Sequence, residues 1–270
     1  MLHAREHTTT RKSCQKLCRL AAVICVPGIL VAVGCSSEDG ERDAQDAGSP
    51  EDAKPLGPCF QEHLEEAIAL NESRRPKYSM LTEGRSEAIS DTLIDSEKMS
   101  LLFAPPIDEA AEPFHEAGVR IVCDEFVSMS EAPAFSDRFA FDPEPIASFE
   151  PVDGNQLTDD LKLAFTDGGF VALSEYADAS LSALETPQGY HCMLRHMLES
   201  LRRIANLAPV HDARAREAGL DGALAISEEM VRLHFLTIGP AAKLDEQAAQ
   251  LHAEGVPILC QDVPSIPAGP

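Results

Sequence analysis

Four cysteines that recur in two matching settings constrain the fold of this 270-residue chain more than any other feature. Two segments, 107–129 and 244–266, align at a constant offset of 137 and share nine residues. Identical pairs at this offset include Cys123/Cys260, His115/His252, Gly118/Gly255 and Asp108/Asp245. Upstream, at an offset of 133, Cys59 and His63 match Cys192 and His196. The order is the same in both halves, so the sequence predicts an internal duplication of a unit that carries two cysteines.

The repeated cysteines are predicted to form disulfides, because an even number of cysteines in an exported protein usually pairs. Four cysteines allow three pairings, and the duplication selects Cys59–Cys123 together with Cys192–Cys260. Each bond then joins the first helix of a unit to the segment after its last helix. In the chain-entropy account, closing a loop of this size stabilises a fold by ~4 kcal/mol, a large share for so small a unit.

Helical periodicity runs through both units, and the sequence predicts an all-α fold with about three helices in each. In the first unit Phe60, Leu64 and Ala67 recur on one helical face. A second helix is expected around residues 89–102 and a third around 107–116, with acids in its first turn. The second unit repeats them around 220–236 and 244–254. Gly118 and Gly255 are predicted helix stops, and the β-branched residues at 119–122 also permit a brief strand.

Two further helices are predicted between the copies, at 157–165 and 171–184, with Thr158 as the N-cap of the first. The whole is a pseudo-twofold pair of helical units, each held by one disulfide. The predicted segments are a signal peptide at 1–34, an anchor and tether at 35–58, unit 1 at 59–129, a linker at 130–156, connecting helices and unit 2 at 157–266, and a tail at 267–270.

The first 35 residues carry a targeting pattern. A basic stretch precedes an apolar run from Leu20 to Gly34, which is too short to span a bilayer as a helix. The run ends in Val-Ala-Val-Gly-Cys35, which resembles the lipobox of bacterial lipoproteins. The resemblance implies cleavage before Cys35 and acylation of that residue. The serines at 36 and 37 further imply the outer membrane, on a face that the sequence leaves open.

Charge and composition restrict the partners. Residues 36–58 are acidic and rich in Gly, Pro and Ser, which predicts a disordered tether. The chain has a formal net charge of −23, which argues against binding nucleic acid or anionic lipid surfaces. Contact with a membrane is therefore expected through the lipid anchor, with an envelope protein as a further partner.

A metal site is the alternative use of the repeated residues. Each unit holds two cysteines and two histidines, a ligand set that zinc accepts. If the cysteines are bridged, the histidine pairs remain as ligands for a metal or haem. The plainer interpretation is that each histidine donates to a nearby carbonyl, so that the protein needs no cofactor. The four candidate histidines are His63, His115, His196 and His252.

Other polar and sulfur-containing residues point to no chemistry. His191, His211 and His234 have no counterpart in the first unit and are predicted to be solvated, while Met193 and Met197 are predicted core residues. The sequence has no Gly-x-Ser-x-Gly elbow, no phosphate loop and no Cys-x-x-Cys-His haem motif, so no catalytic residue is assigned.

The leading hypothesis is a non-enzymatic lipoprotein that binds an envelope component or serves in assembly. The second is a metal- or haem-handling module built on the repeated histidines. The third is an enzyme whose site lies in a cleft between the two units, which predicts a deep pocket there with convergent polar groups.

Overall fold

The structure is a computed structural model that describes residues 57–126, 149–184 and 190–263. In these ranges it contains six helices and no strand, so the all-α prediction is confirmed. The helices are α1 (Cys59–Leu81), α2 (Glu87–Leu101), α3 (Ala104–Glu116), α4 (Gly154–Ala183), α5 (Cys192–Glu217) and α6 (Ala223–Ala253). The signal peptide, Cys35, most of the tether and most of the linker lie outside the described residues.

Both disulfides have the predicted pairing. Cys59–Cys123 and Cys192–Cys260 join residues whose Cα atoms lie 5.1 and 5.0 Å apart. A carboxylate from the third predicted helix of each unit also accepts hydrogen bonds at the start of the unit's first helix. Asp108 accepts from the N–H groups of Phe60 (3.0 Å) and Gln61 (2.9 Å). Asp245 accepts from Met193 (3.0 Å) and Leu194 (2.8 Å). These donors have no partner within their own helices.

We call α1 to α3 with the turn that follows them the first half, and α5 and α6 with the turn that follows them the second half. The prediction of three helices is wrong for the second half. Its second and third predicted helices form one 31-residue helix, α6, which continues through Pro240. The missing proline N–H removes one hydrogen bond of the helix, while Ile238, Ala241 and Leu244 pack into the interior on both sides of it. In the first half Pro105 and Pro106 stand together at the start of α3 and separate it from α2.

Two details of the helix starts also differ from the prediction. Because α3 begins at Ala104, its acidic residues fall in the second turn and the first turn has none. The N-cap of α4 is Asp153, whose side chain accepts from two backbone N–H groups. The predicted N-cap, Thr158, instead donates to the carbonyl oxygen of Gly154. Thr158 lies inside α4, where the carbonyl four residues earlier is within reach of a threonine hydroxyl.

Helix α4 joins the two predicted connecting helices across a kink at Gly169, where φ is 64° and ψ is −150°. It starts inside the predicted linker, at Gly154, where it crosses α6. A Cβ atom at Gly154 would lie 2.8 Å from the Cα of Gly239, so the two backbones are in contact there. This crossing lets α4 pack along α6 and close one side of the core.

Both predicted glycine stops are present. After α3, Gly118 has φ of 80° and the N–H of Val119 bonds to the carbonyl of Phe114 (2.8 Å); Gly255 and Val256 repeat this arrangement after α6. The chain then enters a turn rather than the brief strand that the sequence permitted. Val122 and Leu259 both have positive φ (72° and 66°), a conformation that cannot continue a strand.

The centre of the core lies between α5 and α6. Side chains of both helices are fully buried there, namely Leu194, Leu198, Leu201, Ile204, Met230, Ile238 and Leu244. Helices α1 to α3 cover one side of this pair, and α4 covers another. In the described residues, no helix has the length and apolar character needed to cross a membrane.

Candidate functional site

The short turns after the two disulfides, residues 123–126 and 260–263, each reach across to the other half. We call them turn 1 and turn 2. In turn 1 the carbonyl of Asp124 accepts from Arg203 Nε of α5 (2.6 Å), and Glu125 lies 2.9 Å from His211 Nδ1. In turn 2 the carbonyl of Gln261 accepts from Arg74 of α1, and Asp262 Oδ1 accepts from the Tyr78 hydroxyl (3.0 Å). The two halves are therefore bound to each other reciprocally.

The residues in these contacts are related by the same offsets, 133 and 137, that align the two matching parts of the sequence. His211 follows Tyr78 by 133 residues, and Asp262 follows Glu125 by 137. An acid of one half thus meets a hydrogen-bonding ring of the other half at matching positions. The contacts recur in both halves, and the origin of this recurrence in a duplication stays a prediction.

His211 is fully buried, so the prediction of a solvated side chain is wrong. Its imidazole lies between Glu125 and Asp124, with Nε2 at 3.3 Å from Asp124 Oδ2. Burial alone would lower the pKa of His211, but the hydrogen bonds and negative charges of Glu125 and Asp124 outweigh it and raise the pKa above its ordinary value. Turn 1 therefore meets α5 through an imidazole that favours its charged form.

A cavity of about 360 Å³ lies between the two halves, where the third hypothesis placed a cleft. It is bounded by α1 and α2 on one side, by α5 and α6 on the other, and by residues of both turns. Its walls are mostly apolar. Residues of α1 and α5 that lie 133 positions apart face each other across the cavity, namely Phe60/Met193, His63/His196, Leu64/Met197 and Ala67/Ser200, and the two turns add Phe126/Val263, which lie 137 apart. Matching faces of the two halves thus enclose the cavity.

Ser200 and His234 give the second half a hydrogen-bonded pair on the cavity wall. Ser200 Oγ lies 2.8 Å from His234 Nε2, and His234 Nδ1 lies 2.8 Å from the carbonyl oxygen of Met230. Because the carbonyl only accepts, Nδ1 carries the proton and Nε2 accepts from the serine hydroxyl. Burial lowers the pKa of His234 to about 4, so the imidazole is neutral near pH 7. His234 is buried rather than solvated as predicted, and so is His191.

Glu97 is a polar group that the first half contributes to the cavity wall. Its Oε1 accepts from Asn71 Nδ2 (2.7 Å). Its Oε2 is buried and has no hydrogen-bond partner in the described part of the chain. Burial raises the pKa of Glu97 to about 7, and the negative charges of Asp262 and Glu72 act in the same direction. A carboxyl group that is only half ionised near neutral pH therefore lies on the cavity wall.

The four histidines predicted as alternative metal ligands, two in each unit, lie in two settings, beside the disulfides and on the cavity wall. The cysteine thiolates needed for a Cys₂His₂ site are used in disulfides. His115 Nε2 and His252 Nε2 each lie 2.7 Å from a backbone carbonyl, of Ile121 and of Ile258, as the plainer interpretation predicted. His63 and His196 line the cavity. Within residues 57–126, 149–184 and 190–263, no three His, Cys, Asp or Glu side chains converge as metal ligands.

Sequence reasoning missed Glu97, Ser200 and His234 as site residues. A usable signal was the helical face that carries Phe60, His63, Leu64 and Ala67, because an apolar face that holds a histidine in both copies is a candidate for a polar cavity wall. Met193 is buried and Met197 is half-buried, as expected of core residues, and both also line the cavity. Compared with protein-family models, curated proteins and solved structures, the chain has no match in any of the three.

Proposed function

We propose that this chain is a lipid-anchored protein of the cell envelope, without enzymatic activity, that binds a small and mainly apolar ligand in the cavity between its halves. The observation that carries the proposal is the cavity itself. Its 360 Å³ falls in the range of about 300–1,000 Å³ that is typical of small-molecule sites. Apolar walls with a few converging polar groups are also typical of such sites.

The lining favours an apolar body for the ligand. Three methionines line the cavity, and methionine side chains adapt to ligands of varied shape. Phe60 and Phe126 stack with ring centroids 4.3 Å apart, and Phe126 also contacts the His63 ring (5.2 Å). Exposed apolar residues mark the mouth of the cavity, with Met99, Phe103 and Leu236 at 59%, 46% and 65% exposure. An apolar mouth favours entry of an apolar molecule.

The charges of the lining argue against an anionic ligand. Among the described lining residues there is no lysine or arginine, and both charged residue positions, Glu97 and Asp262, are acidic. An anion transferred into this cavity would lose its hydration without gaining a cationic partner. The cavity is therefore suited to neutral or cationic molecules rather than to fatty acids or phosphates.

The location of the protein is proposed from its N-terminal sequence. The lipobox-like segment that ends at Cys35 supports acylation there, and the serines that follow support the outer membrane. Two disulfides are in keeping with an oxidising compartment. Replacement of Cys35 by serine should move the protein from the membrane fraction to the soluble fraction and abolish labelling with palmitate. A variant that stays in the membrane fraction would contradict the anchor.

Ligand binding is tested by calorimetric titration of the full chain carrying Cys35→Ser with 4-phenylbutan-1-ol, a neutral apolar probe. Binding should be saturable with one site. Ala67→Phe places a large ring at a buried position of the lining and should abolish binding. Leu163→Phe is the matched control, because Leu163 is 59% exposed and is not part of the lining. Absence of saturable binding, or equal binding by Ala67→Phe, would contradict the proposal.

A second candidate function is ester hydrolysis, which the Ser200–His234 pair favours. Ser200 Oγ would attack an acyl carbonyl as its proton passes to His234 Nε2. That proton would leave with the alcohol, and water would then release the acid. Two observations place this candidate second. A base with a pKa of about 4 is a poor proton acceptor at pH 7. Ser200 also lies inside α5, where the backbone N–H groups are bonded within the helix and are not available to stabilise the oxyanion of the intermediate.

Hydrolysis is tested with p-nitrophenyl butyrate and with a fluorophosphonate that labels activated serines. Labelling at Ser200 that is lost in His234→Ala, with turnover that is lost in Ser200→Ala, would make the protein a hydrolase. Absence of both leaves binding as the function of the cavity.

A further inference from the structure

The carboxyl group of Glu97 is the least satisfied polar group on the cavity wall. Helix α2 holds it beside α1, where Asn71 donates to Oε1. The other oxygen, Oε2, is buried and has no partner in the described residues. A buried carboxylate oxygen without a hydrogen bond is destabilising, because no partner offsets the loss of its hydration. A buried carboxylate oxygen without a partner on a cavity wall is suited to accept a hydrogen bond from a ligand in that cavity.

The charged neighbours of Glu97 do not provide that partner. Lys98, the next residue, pairs with Glu72 at 2.9 Å. Arg74 contacts Gln261 and Asp262 of turn 2. Asp262 is itself satisfied by Tyr78 and by the N–H of Leu259 (2.8 Å). Turn 2 therefore presents to Glu97 an acid, Asp262, that is paired with Arg74, and not a cationic partner.

We propose that Glu97 is the recognition group for a ligand ammonium, so that the cavity takes an apolar molecule with one protonated amine. This inference rests on the proposed ligand-binding function and names the ligand class. Oε2 accepts a hydrogen bond from the ammonium, while the phenyl rings and methionines enclose the apolar part. A charge-assisted hydrogen bond in a buried site is about twice as strong as a neutral one, so the amine gains affinity over a matched alcohol.

The proposal gives a direction for the pH dependence. The ammonium needs the ionised carboxylate. In the free protein burial, together with the charges of Asp262 and Glu72, raises the pKa of Glu97 to about 7, while the hydrogen bond from Asn71 and the charge of Lys98 act in the opposite direction. A rise from pH 6 to pH 8 ionises Glu97 while an alkylamine stays protonated. Affinity for the amine therefore increases over this range, whereas affinity for a neutral alcohol stays level.

The test compares three probes of one shape, 4-phenylbutylamine, 4-phenylbutan-1-ol and 4-phenylbutyrate, by calorimetry on the full chain carrying Cys35→Ser at pH 8. The amine should bind about tenfold more tightly than the alcohol, in keeping with one charge-assisted hydrogen bond, and the carboxylate should bind most weakly. Glu97→Gln should remove the advantage of the amine and leave the affinity for the alcohol within about twofold.

A matched control is Glu228→Gln. Glu228 is a glutamate of α6 that lies near Arg232 (3.7 Å) and outside the cavity lining. It should leave all three affinities unchanged.

The outcomes separate the two proposals. If no probe binds, the ligand-binding function is wrong. If the alcohol binds, but the amine binds no better and Glu97→Gln changes nothing, only the assignment of Glu97 is wrong. If 4-phenylbutyrate binds more tightly than 4-phenylbutylamine, the assignment of Glu97 is also wrong. If Glu97→Gln loses the alcohol as well as the amine and its circular dichroism is unchanged, Glu97 shapes the cavity rather than recognising an amine, and the inference fails.

Discussion

The two disulfide-bonded halves make the same contacts at different depths. Cys192 and Cys260 are buried, at 0% and 1% exposure, while Cys59 and Cys123 are half-buried. The helix-start carboxylate Asp245 is fully buried, whereas Asp108 is 8% exposed. Helix α6 of the second half is continuous where the first half has two helices, α2 and α3. The second half is the more deeply packed copy, and the first half covers one side of it.

The cavity shows a second kind of difference. Matching positions of α1 and α5 provide apolar wall and the His63/His196 pair, but the other polar groups differ between the halves. Ala67 faces the cavity from the first half where Ser200 does so from the second, and the carboxyl group of Glu97 comes from α2 whereas the imidazole of His234 comes from α6. Similar helices of the two halves therefore enclose a cavity with an asymmetric lining. If the proposed ligand is amphipathic, this lining would fix the direction in which it lies.

The largest difference between the halves is expected on removal of the disulfides. The loops are similar, with sequence separations of 64 and 68, so the entropic loss is ~4 kcal/mol for either bond. Replacement of Cys192 and Cys260 by alanine also leaves a void among buried groups, which adds to the loss. Urea unfolding should show a lower midpoint for this variant than for the Cys59→Ala, Cys123→Ala variant. Equal midpoints would mean that the two halves are equally packed.

The next largest difference in the free energy of unfolding is expected on removing the side chains that contact the two turns. His211→Ala leaves Glu125 buried without its partner and should lower the free energy of unfolding by about 3 kcal/mol. Tyr78→Phe removes one hydroxyl from an otherwise satisfied Asp262 and should cost about 1 kcal/mol. Because the pKa of His211 is raised in the fold, its contribution is full below pH 6.5 and is lost as the pH rises through the raised value. The effect of His211→Ala should therefore shrink in alkaline solution, and an effect independent of pH would contradict the charged imidazole.

The helix-start carboxylates give the smallest effect. Asp245→Ala leaves two buried N–H groups without an acceptor and should cost about 2 kcal/mol, against about 1 kcal/mol for Asp108→Ala, where water has partial access. Burial raises the pKa of Asp245 from its ordinary value of 3.8 to about 7, so its contribution to stability is full below 3.8 and is lost as the pH rises from there through 7. In urea unfolding, the cost of Asp245→Ala should therefore be smaller at pH 8 than at pH 5. A larger cost at pH 8 would contradict this.

The sequence predicted the features that are repeated within it. The disulfide pairing followed from comparing one half with the other, because matching cysteines had matching roles. The helical class followed from the apolar periodicity of each half and the glycine stops from the residues that end a helix, and the second half repeated both. His211 escaped this comparison because its counterpart is a tyrosine, Tyr78, which binds the equivalent acid with a different ring. A search for identical residues does not find such a substitution.

Features that depend on tertiary contact were not predictable. The sequence predicted two helices, around 220–236 and 244–254, where the structure has the single helix α6. Burial of the residues on both sides of Pro240 offsets the local penalty of a proline inside a helix. The cavity requires the faces of α1 and α5 to meet across the molecule, and no short-range pattern gives the distance between two helices. Glu97 could not be distinguished in the sequence from the many acidic residues expected on the surface, because its burial also depends on how the helices pack.

The central claim, that the halves enclose a ligand site, is tested most directly by NMR of the full chain carrying Cys35→Ser and [methyl-¹³C]methionine. The methyl groups of Met99, Met193 and Met197 line the cavity, whereas Met80 is 78% exposed and lies elsewhere. On titration with 4-phenylbutan-1-ol, the resonances of Met99, Met193 and Met197 should shift together and saturate while that of Met80 stays fixed. Shifts at Met80 alone, or no saturable shift at the three cavity methionines, would contradict the claim.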